Sequence, residues 1–317
     1  MKVAFIIRKD CPRCAKIVER ILNILPDDIE TIFETEIAKY LKVPTVSVDS
    51  IEADIIITIG GDGTVLMASQ KAKGAILGIN MGTLGFLSEV ELGNVESSIY
   101  KLIRGDYKEI EVMRLAVYVN GQYRGKCINE AVIHSRQISK VRSFKVYVDD
   151  NFVDKTRADG IIIATPMGST SYSMSAGGPI ILPSAEAMVL SFIAPVTLRI
   201  RPMVVSSNST AIIVMGGTNE ESIIILDGQE EIDIKSGDKV EIRKCEQPAK
   251  FITMRRNFFT KFREKLLKDS VRITLNCTRQ YGNLKYDLIF GPKKSSKFFG
   301  KAIQRCLHYH SYNSSSN

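Results

Sequence analysis

The chain has 317 residues, enough for about two globular domains. Hydrophobic residues make up 44% of it and charged residues 25%, which excludes collagen-like, low-complexity and fully disordered chains. The net charge is +8, but residues 268–317 contain nine Lys or Arg and only two acidic residues, so residues 1–267 are nearly neutral. Binding to a polyanion would depend on this basic tail alone, and we predict no nucleic-acid partner.

The first 25 residues predict a strand followed by a helix. Residues 3–7 are apolar, and Asp10, Cys11 and Pro12 are typical of a helix start, which predicts a helix as far as Leu25. This apolar run is too short for a signal sequence, and no apolar run in the sequence approaches the roughly 18 residues of a membrane span. We therefore predict a cytoplasmic protein with no membrane partner.

The six cysteines lack the regular spacing of a secreted disulfide framework, which indicates a reducing compartment. Cys11 and Cys14 lie at the predicted helix start, where the positive end of the helix dipole favours a thiolate. No second cysteine pair or neighbouring histidine completes a tetrahedral zinc site with them. The sequence therefore assigns no redox or metal function to this pair.

Continuous apolar runs next indicate a parallel sheet. Residues 54–59 and 75–79 are rich in β-branched side chains and are separated by one helical stretch, a pattern typical of strands covered on both faces. The predicted fold class is thus a Rossmann-like parallel α/β domain, over residues 1–107.

After residue 107 the pattern changes to short strands with alternating apolar residues. Hairpin breaks occur at Asn120-Gly121 and Asp150-Asn151, which predicts a β-sandwich-like second domain over residues 108–255. The predicted strands are 115–119, 143–148, 160–164, 210–214, 222–226 and 239–242. Residues 256–267 predict a closing amphipathic helix, and residues 268–317, in which we find no clear period, predict a basic non-catalytic appendage.

The loop at residues 60–64, Gly-Gly-Asp-Gly-Thr, predicts a phosphate site. Glycines let backbone N–H groups approach phosphate oxygens, and the following helix adds a positive dipole end, so Gly60, Gly61, Gly63 and Thr64 form the candidate phosphate loop. Asp62 would be repelled there unless it takes a proton from a hydroxyl or holds a metal, which indicates phosphoryl transfer to an alcohol. The alternative is a tight turn in which Asp62 and Thr64 only cap the helix.

A second cluster, residues 157–179, runs from an apolar strand into a loop rich in hydroxyls and glycines. Its hydroxyl and N–H groups can hydrogen-bond a ribose or an adenine edge, and Tyr172 can stack on a base. The alternative is a serine-rich turn of the β domain. The loop contains no Gly-x-Ser-x-Gly, and the sequence has no Walker A or Gly-x-Gly-x-x-Gly motif, so these features do not support a serine hydrolase, an ordinary P-loop protein or a dinucleotide dehydrogenase.

These segments, together with residues 80–87, Asn129-Glu130 and Asp227-Gly228-Gln229, resemble in order the motifs of the NAD kinase family. Members of that family transfer a phosphoryl group from ATP or polyphosphate to the adenosine-ribose 2′-hydroxyl of NAD. The Gly-Gly-Asp-Gly loop is shared with diacylglycerol and sphingosine kinases, but the five segments in order are specific.

The resemblance implies that Asp62 is the base or orienter for the 2′-hydroxyl and that Gly63 lies against the nucleotide. It implies that Asn129 and Glu130 hold the ribose and diphosphate, and that Asp159 reaches a carboxamide or amino group. The further NAD contacts that it implies are Arg157, Thr170, Ser171, Tyr172, Ser173, Met174, Ser175, Ala194 and Gln229. It also implies Mg²⁺ and a homodimer or homotetramer, whereas the sequence identifies no metal ligands.

One departure from the family is Met67, where members often have Arg or His, so the donor preference stays open. The alternative enzyme is a diacylglycerol-type lipid kinase, which would need an apolar acceptor groove. A nucleotide-binding sensor or an RNA binder acting through the tail is the non-enzyme alternative, and its function would not need Asp62. The use of NADH and the role of the tail also stay open.

Overall fold

A computed structural model describes residues 1–82, 85–137, 141–197, 199–216, 221–254 and 258–263, and the backbone of residues 271–279 and 282–290. Contacts divide the chain into a unit of Met1–Phe258 and a unit of Phe259–Asn317. Within the described part of the chain, no helix is long and apolar enough to cross a membrane.

The first unit begins with parallel strands that alternate with helices, as the apolar runs predict. The strands are β1 (Lys2–Ile7), β2 (Glu30–Phe33), β3 (Glu52–Gly60), β4 (Lys73–Asn80) and β5 (Val90–Glu91), and the helices are α1 (Pro12–Leu22), α2 (Asp62–Lys71) and α3 (Val95–Ile103). Helices α1 and α3 pack on one face of the sheet and α2 on the other, which explains why Ile55, Ile56 and Ile57 are all buried.

Helix α1 starts at Pro12 with Cys11 as its N-cap, and it ends at Leu22 instead of the predicted Leu25. Beyond the helix, the N–H groups of Ile24 and Leu25 both donate to the Ile21 carbonyl, so the chain leaves the regular helical pattern there. Cys11 and Cys14 form a disulfide with a Cα–Cα distance of 5.3 Å, whereas the sequence favoured a thiolate at this helix start. The bond spans three residues and joins no separate elements.

A β-sandwich follows α3 and the strand β6 (Lys108–Val112). Its strands are β7 (Leu115–Val119), β8 (Gln122–Cys127), β9 (Glu130–Ser135), β10 (Arg142–Val148), β11 (Asn151–Ala158), β12 (Gly160–Ala164), β13 (Ala187–Ile193), β14 (Met203–Ser206), β15 (Ala211–Gly216), β16 (Ser222–Leu226), β17 (Glu230–Ile234) and β18 (Lys239–Lys244), and the one-turn helix α4 (Tyr172–Ser175) lies between β12 and β13. They form two antiparallel sheets with the orders β11-β10-β15-β18-β7-β8 and β14-β13-β12-β9-β16-β17. The inner faces of both sheets share one core, which confirms the predicted fold class.

The predicted hairpin at Asn120-Gly121 is present, with φ of 51° and 80° at these residues. The turn between β10 and β11 instead has its left-handed residues at Asp149 and Asp150, one position before the predicted break. Asp and Asn adopt positive φ more readily than most residues, so either pair could form the turn.

The last strand of the first unit, β19 (Ala249–Thr253), returns to the parallel sheet and completes the order β2-β1-β3-β4-β19-β6. It pairs in parallel with β4 and antiparallel with β6. Two strands from residues 108–255, the predicted second domain, therefore belong to the first sheet.

The second unit contains an antiparallel pair, β20 (Val271–Arg279) and β21 (Gly282–Phe290), in the range for which we predicted no element. The signal was present, because apolar and polar residues alternate in both segments. Of the predicted closing helix at 256–267, the structure shows α5 (Phe258–Phe262), and residues 256, 257 and 264–267 lie outside the described residues.

Candidate functional site

The candidate phosphate loop lies where β3 ends and α2 begins. Gly61 is the N-cap of α2 and has no side chain with which to cap the helix, and Asp62 and Thr64 follow it in the first helical turn. The position fits an anion, because the N–H groups of the first helical turn and the positive end of the helix dipole meet at the carboxyl edge of a parallel sheet.

The Asp62 carboxylate is held by the segment that follows β4. Its Oδ2 accepts a hydrogen bond from the Phe86 N–H at 2.8 Å. Its Oδ1 accepts from the N–H of Ser88 at 3.1 Å and from the Ser88 hydroxyl at 2.9 Å. The carboxylate is therefore oriented before any ligand binds, which favours a role in positioning or deprotonating an alcohol.

Gly85 permits this arrangement. A Cβ on Gly85 would lie 1.8 Å from the Asp62 Oδ1, a distance that no side chain tolerates. The sequence match over residues 80–87 marked this segment without showing its function, and Thr83 and Leu84 lie outside the described residues.

The buried carboxylate of Asp227 organises the segment that contains Asn129 and Glu130. Asp227 accepts hydrogen bonds from the backbone N–H groups of Ile128, Asn129 and Glu130 at 2.9, 2.7 and 3.2 Å. Gln70 of α2 donates to the same carboxylate at 3.2 Å. The late Asp-Gly-Gln motif thus joins α2 to the Asn129-Glu130 pair, a role that the sequence did not assign to Asp227.

Glu130 is a buried acid in an unusual environment. Burial and the neighbouring Asp227 carboxylate raise its pKa to about 8, although hydrogen bonds from Ser171 and the Tyr172 backbone oppose the shift. Its Oε1 accepts from the Ser171 hydroxyl at 3.2 Å, and its Oε2 has no hydrogen-bond partner among the described residues. Burial likewise raises the pKa of Asp227.

The hydroxyl-rich loop is fixed against the same pair. The Thr165 hydroxyl donates to the Ile128 carbonyl at 2.5 Å, and the Thr165 N–H donates to the Asn129 carbonyl at 2.9 Å. A Cβ on Gly168 would lie 2.0 Å from that Asn129 carbonyl oxygen, so glycine allows the close approach. The turn before α4 therefore lies directly on Asn129.

The predicted residues of this loop differ in their accessibility. Tyr172 and Ser175 are exposed, and Met174 is half-buried. Ser173 is fully buried, and its hydroxyl lies 2.9 Å from that of Ser191, so it packs in the protein and does not line the loop surface. Thr170 is buried, and its hydroxyl donates to the Met167 carbonyl at 3.1 Å.

Gly63 and Gln229 are also brought together. Both are exposed, and a Cβ on Gly63 would lie 3.8 Å from the Gln229 Nε2. The phosphate loop, the Asp-Gly-Gln turn and the Asn129-Glu130 pair therefore surround one region.

Three predicted NAD contacts lie elsewhere in the chain. Arg157 lies near the end of β11, Asp159 directly before β12 and Ala194 directly after β13, and the Asp159 N–H donates to the Ile193 carbonyl at 2.9 Å. Six residues of extended chain separate Asp159 from Thr165, which corresponds to about 20 Å. The structure thus places the predicted residues in two groups at opposite ends of β12.

Met67 of α2 packs partly buried against the apolar core. Its side chain is neutral and supplies no charge near the phosphate loop. Arg8 at the end of β1 is exposed, and its Cβ would lie 3.1 Å from a Cβ on Gly60. A cation that the sequence did not assign therefore adjoins the loop.

A glycine loop at the edge of a parallel sheet, an oriented carboxylate and a neighbouring β-sandwich define a phosphate- and nucleotide-binding α/β protein. Two family models match it: the ATP-NAD kinase N-terminal domain over residues 4–107 and the ATP-NAD kinase C-terminal domain over residues 128–254. The chain belongs to the NAD kinase family.

Individual relatives agree with this assignment. An NAD kinase of Thermoplasma volcanium is 52% identical over 271 residues, which are 86% of this chain and 100% of the relative. An NAD kinase of Methanothermobacter thermautotrophicus is 39% identical over 278 residues, with coverage of 86% and 98%. These matches support the kinase prediction and not the lipid-kinase alternative.

Two solved structures share the fold. Yeast NADH kinase complexed with NADH superposes with a TM-score of 0.77 at 21% identity, covering 84% of this chain and 87% of that chain. An NAD kinase from Archaeoglobus fulgidus in complex with ATP has a TM-score of 0.66 at 29% identity, with coverage of 83% and 99%.

Proposed function

We propose that this protein transfers the terminal phosphoryl group of ATP to the adenosine-ribose 2′-hydroxyl of NAD, giving NADP. The main support is the orientation of the Asp62 carboxylate beside the phosphate loop. It accepts hydrogen bonds from the Phe86 N–H, the Ser88 N–H and the Ser88 hydroxyl. Family membership supports the same reaction.

In this mechanism the 2′-oxygen forms a bond to the terminal phosphorus while the anhydride P–O bond breaks, and the hydroxyl proton passes to Asp62. The loop N–H groups of Gly61 and Gly63 would stabilise the charge on the transferred phosphoryl oxygens. The residues then act mainly by positioning, because phosphoryl transfer needs little covalent help from the protein.

We propose that NAD binds between Asn129-Glu130, Ser171, Tyr172 and Gln229. Glu130 supports this placement, because its Oε2 lacks a partner among the described residues and a hydrogen bond to the dinucleotide would satisfy it. With a pKa of about 8, Glu130 is largely protonated at neutral pH and can donate that bond. Exposed Tyr172 would stack on a base.

We propose that Arg157, Asp159 and Ala194 contact a dinucleotide in an oligomer. Their separation from Thr165 along β12 supports a site completed by a neighbouring subunit in a homodimer or homotetramer. Exposed apolar side chains on the sandwich support such an interface: Ile180, Leu182, Val196 and Val204. Light scattering would measure the number of subunits.

We propose that Mg²⁺ enters as the metal complex of the donor. Proteins commonly hold Mg²⁺ through one or two carboxylates together with substrate phosphates, and here the donor phosphates would supply most of the ligands. The described residues contain no group of three or more His, Cys, Asp or Glu side chains that could hold a metal ion. When bound, the ion would shield the donor phosphates from the carboxylate.

We propose a cytoplasmic location, supported by the irregular cysteine spacing; the Cys11–Cys14 disulfide joins neighbouring residues and does not form the framework of a secreted protein. Cys127, which is buried, and Cys245 are free among the described residues. Reaction of intact cells with a membrane-impermeant thiol reagent, compared with lysed cells, would test it.

An assay of NADP formation tests the function. Purified protein is incubated with NAD, Mg²⁺ and either ATP or polyphosphate, and the NADP formed is measured. Formation of NADP with ATP is expected. Phosphorylation of diacylglycerol in micelles without any NADP would overturn the proposal in favour of a lipid kinase.

A further inference from the structure

We propose that a cavity beside α1 holds the part of the phosphoryl donor that leaves, namely the base, sugar and inner phosphates of a nucleoside triphosphate. This assignment rests on the proposed function and adds to it the location of the donor. The cavity has a volume of about 340 Å³ and is lined by Arg13, Lys16, Ile17, Arg20, Met81 and Leu92.

The cavity adjoins the phosphate loop. The Met81 N–H donates to the Gly60 carbonyl at 2.8 Å, so one wall is bonded to the loop itself. Met81 and Leu92 bracket the segment that contains Phe86 and Ser88, which hold Asp62. A donor whose terminal phosphate lies at the loop could therefore extend into the cavity along the carboxyl edge of the sheet.

Two cations without an ion-pair partner among the described residues make the cavity favourable for a negatively charged ligand. Arg13 and Lys16 are exposed and take part in no ion pair among the described residues, whereas Arg20 pairs with Glu96. Arg8 contacts both the loop and the start of α1, because its Cβ adjoins Gly60 and its Nη2 donates to the Cys11 Sγ at 3.8 Å. Cations at the loop and in the cavity suit a chain of phosphates that extends from one to the other.

The apolar walls favour a nucleoside over a simple phosphate chain. Ile17, Met81 and Leu92 contribute hydrocarbon surface, on which a base can pack, and an arginine above the ring would add a cation–π contact. A site for inorganic polyphosphate would need cations alone. After transfer, the nucleoside diphosphate is the leaving group that remains in the cavity.

The cations are tested in the full-length protein by the double variant Arg13→Ala/Lys16→Ala. The matched control is Lys101→Ala/Arg104→Ala, which removes the same charge from the far end of α3. We expect the KM for ATP to rise about tenfold in the first variant and to stay within about twofold in the control, with the KM for NAD unchanged in both. An unchanged KM for ATP, or an equal rise in the control, would overturn the assignment.

The apolar wall is tested by Leu92→Asn, with calorimetric binding of ADP and of inorganic tripolyphosphate. We expect this variant to bind ADP about tenfold more weakly and tripolyphosphate as the wild type does, while Arg13→Ala/Lys16→Ala weakens both. Equal losses for the two ligands in Leu92→Asn would show that the nucleoside does not bind in the cavity. Thermal unfolding of each variant shows that it is folded, and a wild type that forms no NADP from any donor contradicts the proposed function instead.

Discussion

Asp62 has two structural properties, of which the sequence predicted only the first. It lies in the phosphate loop, and it also binds the backbone of residues 86–88. These hydrogen bonds hold the carboxylate beside the phosphate loop, where it can accept a proton.

Asp62→Asn should lower NADP formation by roughly 10² to 10⁴, because an amide cannot take the hydroxyl proton. NAD should bind within about tenfold of wild type, because the volume is preserved. The melting temperature should also fall, because the amide nitrogen cannot accept from Phe86 or Ser88. Steady-state kinetics, NAD titration and calorimetry measure these effects, with the exposed Asp49→Asn as control. Turnover near the wild-type value would remove Asp62 from the mechanism.

Tyr172 is 41% exposed, which leaves its ring available to a base. If the ring stacks, Tyr172→Ala should weaken NAD binding by about 1–3 kcal/mol and Tyr172→Phe by much less. NAD titrations of both variants make the comparison. Equal losses would assign the effect to the hydroxyl.

Glu130 should make stability depend on pH. Its pKa is raised from 4.5 to about 8, so between these values the unfolded chain has released a proton that the folded protein keeps. Stability therefore falls as the pH rises from about 4.5 to 8 and changes no further above that range. Glu130→Gln should show a smaller fall than wild type in melting temperatures across this range. The exposed Glu231→Gln should behave as wild type, and parallel curves for wild type and Glu130→Gln would contradict the assignment.

At the scale of elements, residues 85–88, between β4 and β5, determine the position of the Asp62 carboxylate. Their contact with Asp62 depends on the absence of a side chain at Gly85, whereas a Cβ on Gly82 would meet nothing within 4 Å. The two glycines therefore form a matched pair for mutation.

Gly85→Ala should lower NADP formation by at least about 10²-fold, because the new Cβ displaces the Asp62 carboxylate. Gly82→Ala should keep activity within about twofold, because its Cβ enters open space. Initial rates at saturating NAD and ATP measure both. Similar activity in the two variants would show that the orientation of Asp62 by this segment is unimportant.

At the scale of the whole molecule, the two family models together extend no further than residue 254, before the basic tail. The tail contains the β20–β21 pair and nine of the 43 Lys and Arg residues, so it can affect charge without contributing a motif.

Truncation after Leu267 should leave NADP formation intact and should reduce salt-dependent adhesion to polyanions. Activity assays, thermal unfolding and heparin elution at several salt concentrations test this, with the full-length protein as reference. If activity or folding is lost, the tail is part of the catalytic unit or of a subunit interface.

The sequence by itself determined the features that depend on local patterns. Apolar periodicity predicted the parallel strands and the sandwich, because burial on one or two faces imposes a fixed spacing on the side chains. Residues 60–64 predicted a phosphate site, because glycines and a helix start are adjacent in the chain. The alternation in residues 271–279 is local as well, although the sequence prediction assigned no element to that range.

Only the tertiary structure decided which distant residues meet. Asp227 binds Asn129 across 98 positions, and β19 enters the sheet between β4 and β6. The same applies to the Asp62 contact with Ser88 and to the separation of Asp159 from Thr165 along β12. Such contacts depend on the path of the whole chain and on packing at close range, and a pattern within a few residues carries no information about either.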